Sequence, residues 1–190
     1  MNVGPQGPGP YTPPKSNNTA IIIVVIIAAG FVLLMVMAIL AAILFPVFAR
    51  ARAKAQADSC MRNAQQISTA MMQYQTSWDD MCPPAKDWQT ALEPHLKSPA
   101  VWKCPADQSG RPSYAMNTKL SGIRGADVAG PADVVMIFES SPGNNQAGGP
   151  ELLPSEPRHM GTHMIGCADG HVKQVRQPDV GSLIWQPTKP

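Results

Sequence analysis

Residues 20–45 read AIIIVVIIAAGFVLLMVMAILAAILF, a run without a single charged side chain. As a helix rising about 1.5 Å per residue it would reach about 39 Å, more than the ~30 Å hydrocarbon core of a bilayer. A backbone in that medium has to satisfy its own polar groups, and a helix does so. The core helix of a small soluble domain would carry polar residues on one face, and this run has none. It therefore predicts a transmembrane helix over 20–45. It is too long for the apolar region of a cleaved signal, roughly 7–15 residues, and only Lys15 precedes it closely, so a retained anchor is expected. The residues before it, MNVGPQGPGPYTPPKSNNT, are rich in Pro, Gly and Asn and cannot bury a core. A disordered leader is expected over 1–19.

Of the 190 residues, about 140 remain after the anchor, enough for one modest domain. Its 20 prolines and 15 glycines, counted over the whole chain, point to many turns and short elements. The net charge of +2 gives no basic field that would recruit nucleic acid. Two signals disagree on orientation. Arg50, Arg52, Lys54 and Arg62 crowd the C-terminal flank of the apolar run, and by the positive-inside rule they would hold the domain in the cytoplasm. The four cysteines, Cys60, Cys82, Cys104 and Cys167, all follow the run, and an even count in a small domain suits disulfides in an oxidising compartment, with buried free thiols as the other reading.

From Val47 to Trp78 there is no proline or glycine, which predicts that helix continues over 46–78, kinked by Pro46. Cys60, Ala64, Ile67, Met71, Tyr74 and Trp78 recur at spacings of three and four and form one apolar stripe, suited to packing on a sheet. Arg62, Asn63, Gln66, Gln73 and Gln75 fall on the other face. A coiled-coil seam is the competing reading, but the stripe is short and lacks charged flanking positions. Asp79, Asp80 and Pro83-Pro84 end the helix, and Asp87 is placed to cap a short one from Trp88 to about Leu96. Strands are expected at Ser113–Asn117, at Val134–Phe138 (VVMIF, central), and on either side of Asp169-Gly170, whose composition predicts a two-residue hairpin turn between His163–Ala168 and His171–Val175. Ser140–Pro157 reads as a long loop, and the C-terminal tail has Trp185 as its large anchor.

His159, His163, Asp169 and His171 are the densest set of metal-type ligands. Pro157 and Gly161 argue against the helix that would align His159 with His163, and hydrogen bonding that holds a loop and hairpin is the preferred reading over zinc. Asp107, Asp127, Asp133, Asp169 and Asp179 are scattered and form no calcium-loop pattern. Cys167 lies four residues before His171, and across a tight hairpin the two could pair as a nucleophile and its base; no phosphate-binding or dinucleotide motif is present. Cys82 and Cys104 bracket the short helix and are the first choice for a disulfide, with Cys60 and Cys167 as a second pair; four cysteines allow three connectivities.

The stretch AILAAILFPVFARARAKAQADSCMRNAQQI resembles the N-terminal helix of type IV pilin-like proteins, the pseudopilin type. Arg158-His159, followed after nine residues by Asp169-Gly170-His171-Val172-Lys173, resembles the signature of the prepilin-type processing-associated H-x(9)-D-G family. Trp102-Lys103-Cys104-Pro105-Ala106-Asp107 and Ser113-Tyr114-Ala115-Met116-Asn117 are similar to short runs of the same family in the same order, so the resemblance covers roughly residues 38–175. The processing site departs from the family pattern. Gly30-Phe31 is present, but Met35 stands where a glutamate is usual; registered on Pro46, the junction falls at Val24-Val25 with Ala29 in place of the acid, and no basic leader precedes it. The N-terminus thus reads as a degenerate prepilin segment kept as an anchor.

The resemblance implies an α+β pilin-like fold, a long N-terminal helix whose distal half packs on a small antiparallel sheet over 79–190. It implies a non-enzymatic, membrane-anchored envelope component of, or derived from, a type II secretion or type IV pilus-like system. His159, Asp169 and Gly170 would be structural motif residues. The partners would be the lipid bilayer and other pilin-like subunits, and the domain would lie outside the cytoplasm. No cofactor is expected, with calcium or zinc as alternatives. Two other functions stay open: a tethered binding module using the 140–157 loop for an unknown ligand, and a metal-dependent envelope enzyme using His159, His163 and His171.

Overall fold

The computed structural model describes Gly7, Gly9, and residues 18–141 and 143–188. The expected leader, with Lys15, otherwise lies outside the described residues. The chain divides into two units, Met1–Phe48 and Ala49–Pro190. Helix α1 spans Asn18–Ser77 and contributes to both. It begins two residues inside the stretch expected to be leader, and the helix continues through Pro46. A proline removes one hydrogen-bond donor, and the uniformly apolar, helix-favouring residues around it carry the helix on.

In the first unit every described residue of α1, from Asn18 to Phe48, is exposed. Its mean hydropathy reaches 3.2, and it is long and apolar enough to cross a membrane. Leaving a large aliphatic side chain in water forgoes about 1.5–3 kcal/mol each. A helix that exposes Ile21 through Ile27 and Phe31 through Met37 without burying one of them is built for an apolar surrounding.

In the second unit α1 continues with a buried stripe of Ala57, Cys60, Ala64, Ile67, Ser68, Ala70, Met71, Tyr74 and Gln75. Five of the six expected stripe residues are in it. Trp78 is the exception: it falls one residue past the helix end, is 59 % exposed, and stacks on Tyr74 with ring centroids 5.6 Å apart. Gln75, expected on the polar face, is buried and donates from Nε2 to the Cys82 sulfur at 3.0 Å. The helix stops where Asp79 and Asp80 take positive φ.

Helix α2 (Trp88–Leu92) runs on into a 3-10 turn at Glu93–His95, which Pro94 permits. Asp87 sits at its N-cap but makes no side-chain cap bond. Asn145 does the work from a distant loop: its Oδ1 accepts from Gln89 N–H at 2.9 Å, while Gln89 Oε1 accepts from Asn145 N–H at 2.7 Å.

The sheet comprises β1 (Tyr114–Asn117), β2 (Val135–Glu139), β3 (Ala147–Gly148), β4 (Thr162–Cys167) and β5 (Val172–Arg176), in the order β3-β1-β2-β4-β5. Four strands are antiparallel as expected. The sheet is mixed because β3 lies parallel to β1. Strand β3 comes from the middle of the 140–157 segment, which is therefore fastened rather than a free loop; Trp88 Nε1–H also donates to Gln146 O at 2.9 Å. Only two residues pair, too few for a period to show in the sequence.

The β4–β5 hairpin has a three-residue loop with a bulge instead of the expected two-residue turn. Gly170 N–H donates to Cys167 O, Cys167 N–H donates to His171 O, and of Asp169 and Gly170 only the glycine has positive φ. Both central residues at positive φ occur instead at Met160-Gly161, between the bridged His159 and Thr162.

One sheet face meets α1 through Tyr114, Met116, Ile137 and Met164. The other carries Ala115, Val135, Phe138, Ile165 and Val175 and is covered by Leu183 and Trp185, the tail anchor, whose ring meets Phe138 edge-on at 4.9 Å. Helix and sheet approach closely at Gly166. A Cβ there would stand 2.6 Å from both Ser68 Oγ and Ile137 Cγ1. Gly166→Ala is expected to cost about 1–3 kcal/mol by overpacking, read as a lowered urea midpoint with unchanged slope. Ala at Gly181, where a Cβ meets nothing within 4 Å, is the control.

Candidate functional site: a buried cysteine, glutamate and histidine cluster

The cysteines do not pair as expected. Cys60 on α1 is bonded to Cys104, across a separation of 44 residues, and Cys82 and Cys167 are buried free thiols. Cys82 lies beyond the end of α1, where Gln75 Nε2 donates to its sulfur. Cys60, on the buried stripe, lies against the loop after Trp102. That loop is fixed by Asn63 Nδ2, which donates to Lys103 O at 2.9 Å, and by Cys104 N–H, which donates to Ser113 Oγ at 3.2 Å.

Two further ligand-type side chains close on this bond. His159 Nε2 is 3.3 Å from Cys104 Sγ and 2.7 Å from Glu139 Oε1. One ligand atom from each of Cys60, Cys104, Glu139 and His159 falls within 4.8 Å of all the others. All four residues are buried, none more than 2 % exposed. Glu139 reaches the site from the end of β2, opposite Tyr114 of β1 and so on the helix face. Its Oε2 accepts from Met164 N–H at 3.0 Å. His159 is aimed by the tight turn after it, where its carbonyl accepts from both the N–H and the hydroxyl of Thr162. Tyr114 donates its hydroxyl to Cys60 O at 3.1 Å, and burial, with the Glu139 charge, pushes that phenol far up.

A second polar group braces the same walls. Arg158 Nη2 lies 3.3 Å from Asp107 Oδ2 and donates to Ser140 O at 2.8 Å. Asp107 also accepts from Ser113 Oγ–H at 2.8 Å and Ser109 N–H at 2.9 Å. Burial alone would push the Asp107 carboxyl up. The Ser109 and Ser113 hydrogen bonds and the Arg158 charge outweigh it and hold the group below its ordinary value. In the run Trp102–Asp107, then, Cys104 makes the crosslink and Asp107 holds Arg158 beside His159.

The histidines do not converge on one another. His163 Nε2 bonds to Gln177 Oε1, and His171 Nδ1 lies 2.6 Å from Asp169 Oδ1 at the hairpin loop. The His159/His163/Asp169/His171 set is therefore not a metal centre. The His159 carbonyl and the Asp169 carboxylate hold local turns, and Gly170 supplies the positive φ its loop requires. The aspartates are spent separately: Asp107 on Arg158 and Asp179 on Arg176. Cys167 and His171 do not form a dyad either. The His171 ring bonds through Nδ1 to Asp169 and makes no hydrogen bond with the Cys167 sulfur, and burial pushes the Cys167 thiol up, against the thiolate a nucleophile needs. Sequence reasoning missed Glu139 altogether and missed the Cys60–Cys104 pairing. A charged residue closing an otherwise apolar strand was the one available sign of Glu139.

Three expectations follow. Under non-reducing conditions the folded chain should resist a small thiol reagent near neutral pH and release two reactive thiols on unfolding, because both free cysteines are buried and burial pushes Cys82 up to about 11. Replacing Cys104 by Ser should cost about 4 kcal/mol on the chain-entropy account of a 44-residue separation, measured by urea denaturation. Because the folded Asp107 carboxyl titrates below its unfolded value, its contribution is complete above about pH 4 and is lost as pH falls through the folded value. Asp107→Asn should therefore be less stable than wild type at about pH 6, with the gap narrowing towards about pH 3, as read from urea midpoints at both.

Comparison with known proteins finds no matching family model, no matching curated protein and no matching solved structure.

Proposed function

We propose that this chain is a membrane-anchored, non-enzymatic envelope protein of pseudopilin-like type, with its α+β domain outside the cytoplasm. One observation carries the reading: the 60-residue α1 is exposed up to Phe48 and apolar from Ala20 to Phe48, and from Ala57 its stripe forms part of the core of a small sheet domain. That division suits a helix whose first part lies in lipid or against like helices and whose last part belongs to a folded head. The Cys60–Cys104 crosslink supports an oxidising compartment. Arg50, Arg52 and Lys54 pull the other way by the positive-inside rule, and we give the buried crosslink the greater weight because it is part of the core. Met35 at the place of the usual glutamate favours an anchor over a filament subunit.

The test is topology and processing together. The full chain, expressed in a bacterium with a C-terminal reporter active only outside the cytoplasm, should give an active reporter. Extracted from membranes without reductant, it should show the intact mass of the complete N-terminus. Loss of mass up to Gly30 would mean that the chain is processed like a pilin. An inactive reporter would overturn the outward orientation.

A further inference from the structure

We propose that the Cys60, Cys104, Glu139 and His159 cluster is a zinc site in the dithiol form of the chain, and that forming the disulfide releases the metal. A crosslink needs neither an imidazole nor a carboxylate beside it. Burying both is costly unless they are paired, and the fold delivers Glu139 from β2 and His159 from the turn before β4 both to each other and to the same two sulfurs. His159 Nδ1 is also buried without a hydrogen-bond partner, so the disulfide form does not use the ring fully.

The donor set is two thiolates, one imidazole nitrogen and one carboxylate oxygen. That is four ligands of the kinds zinc takes, with no position left for substrate, so the site is of the closed, structural kind. The geometry is near what zinc requires. Two thiolates on a tetrahedral zinc at about 2.3 Å each stand roughly 3.7 Å apart, against about 2.05 Å in a disulfide. Breaking the bond must separate the sulfurs by about that difference in any case. Glu139 Oε1 and His159 Nε2, now in contact, would open to roughly 3.3 Å around the ion, since zinc holds nitrogen and oxygen ligands near 2.0–2.1 Å. The Nδ1–H that a metal-bound Nε2 entails has no acceptor here, which lowers the affinity below that of sites with a braced histidine.

The dithiol is the form in which any chain is made, so loading needs no reductant. Zinc displaces the two thiol protons to solvent on binding. Release is a thiol–disulfide exchange with a disulfide oxidant. One thiolate attacks it and expels one of its sulfurs; the other thiolate then attacks the mixed disulfide. The Cys60–Cys104 bond forms, the oxidant leaves as its dithiol carrying the two electrons, and zinc leaves with its two sulfur ligands gone. The inference rests on the cluster and not on the proposed anchoring, and holds for either orientation of the domain.

The test uses the full chain in detergent. A water-soluble phosphine reduces the disulfide, taking oxygen from water to become the phosphine oxide, while the two sulfurs receive the protons. Zinc is then added and excess removed by gel filtration. We expect about one zinc per reduced chain and at least tenfold less in the oxidised chain. Cobalt in its place should give thiolate charge-transfer absorption with tetrahedral visible bands, and X-ray absorption should show two sulfur and two nitrogen or oxygen neighbours. His159→Ala and Glu139→Gln should each weaken binding tenfold or more, whereas Cys82→Ser and Cys167→Ser should not. The absorption spectra of wild type decide the matter even if a variant fails to fold. Equal zinc in reduced and oxidised chains, or a shell with four sulfurs or none, would overturn the proposal. Those results would leave Glu139 and His159 as braces of β2 and β4 only.

Discussion

The second unit depends on how closely α1 can lie on the sheet. Ala57, Ala64 and Ser68 are small where the helix touches down, and Gly166 presents no side chain in return. Close seating brings the backbone of α1 within reach of β1, so that Tyr114 can donate to a helix carbonyl at Cys60. It also puts the Cys60 sulfur at bonding distance from the loop that follows Trp102. Larger residues at those positions would lift the helix, and both the crosslink and the polar cluster would lose their geometry. The larger side chains, Ile67 and Met71 from the helix and Met116, Met136 and Met164 from the sheet side, fill the rest of that face. Methionine is common here for a physical reason: it is unbranched and fits an irregular gap between a helix and a bulged strand, and β2 is irregular between Val135 and Ile137.

A polar centre inside this apolar layer needs its own account. Glu139, His159 and Ser113 are buried there and Asp107 and Arg158 nearly so, while Asn117 is buried towards the tail on the opposite face. Most of their atoms have partners. Asn117 Nδ2 donates to Val135 O and Trp185 O, which ties β1 to β2 and to the C-terminal tail. Met164 N–H donates to Glu139 Oε2, which ties β4 to the end of β2. These groups replace backbone pairing that the short, irregular strands cannot supply, and a satisfied buried network favours one arrangement over its neighbours. The exceptions, His159 Nδ1 and Arg158 Nη1, are adjacent in sequence and lie at the rim of the cysteine cluster.

Much of the architecture was legible because it rests on periodicity. The uncharged run, the stripe from Cys60 to Tyr74, and the apolar run that became β2 each state their environment in residue type alone. Tertiary partners were not legible. Asn145 caps α2 from 56 residues away, a job the sequence assigned to Asp87 because it is adjacent. Asp-Gly predicted a two-residue turn, but the strand register placed the bulge there and the double positive φ at Met160-Gly161, where methionine gives no such signal. Cysteine pairing failed for the same reason. Bracketing a loop is a statement about sequence, whereas a bond requires two Cα atoms within a few ångströms, here 5.1 Å between a helix and a loop 44 residues apart.

The histidine reading failed in an instructive way. Sequence proximity grouped His159 with His163 and His171, yet each bonds to a different partner and only His159 reaches the sulfurs. The ligands that do converge come from four places: α1, the loop after Trp102, the end of β2 and the turn before β4. A site assembled from four elements cannot form before the helix is seated on the sheet. The covalent bond and a shared metal ion are then two ways to meet one requirement, since each fastens the helix to the loop and so to the sheet. A disulfide does it with two side chains and leaves Glu139 and His159 to pair with each other. A metal ion does it with all four and replaces that pair by two bonds to one centre. The presence of the carboxylate and imidazole at a position where two cysteines alone would suffice is what distinguishes this cluster from an ordinary crosslink.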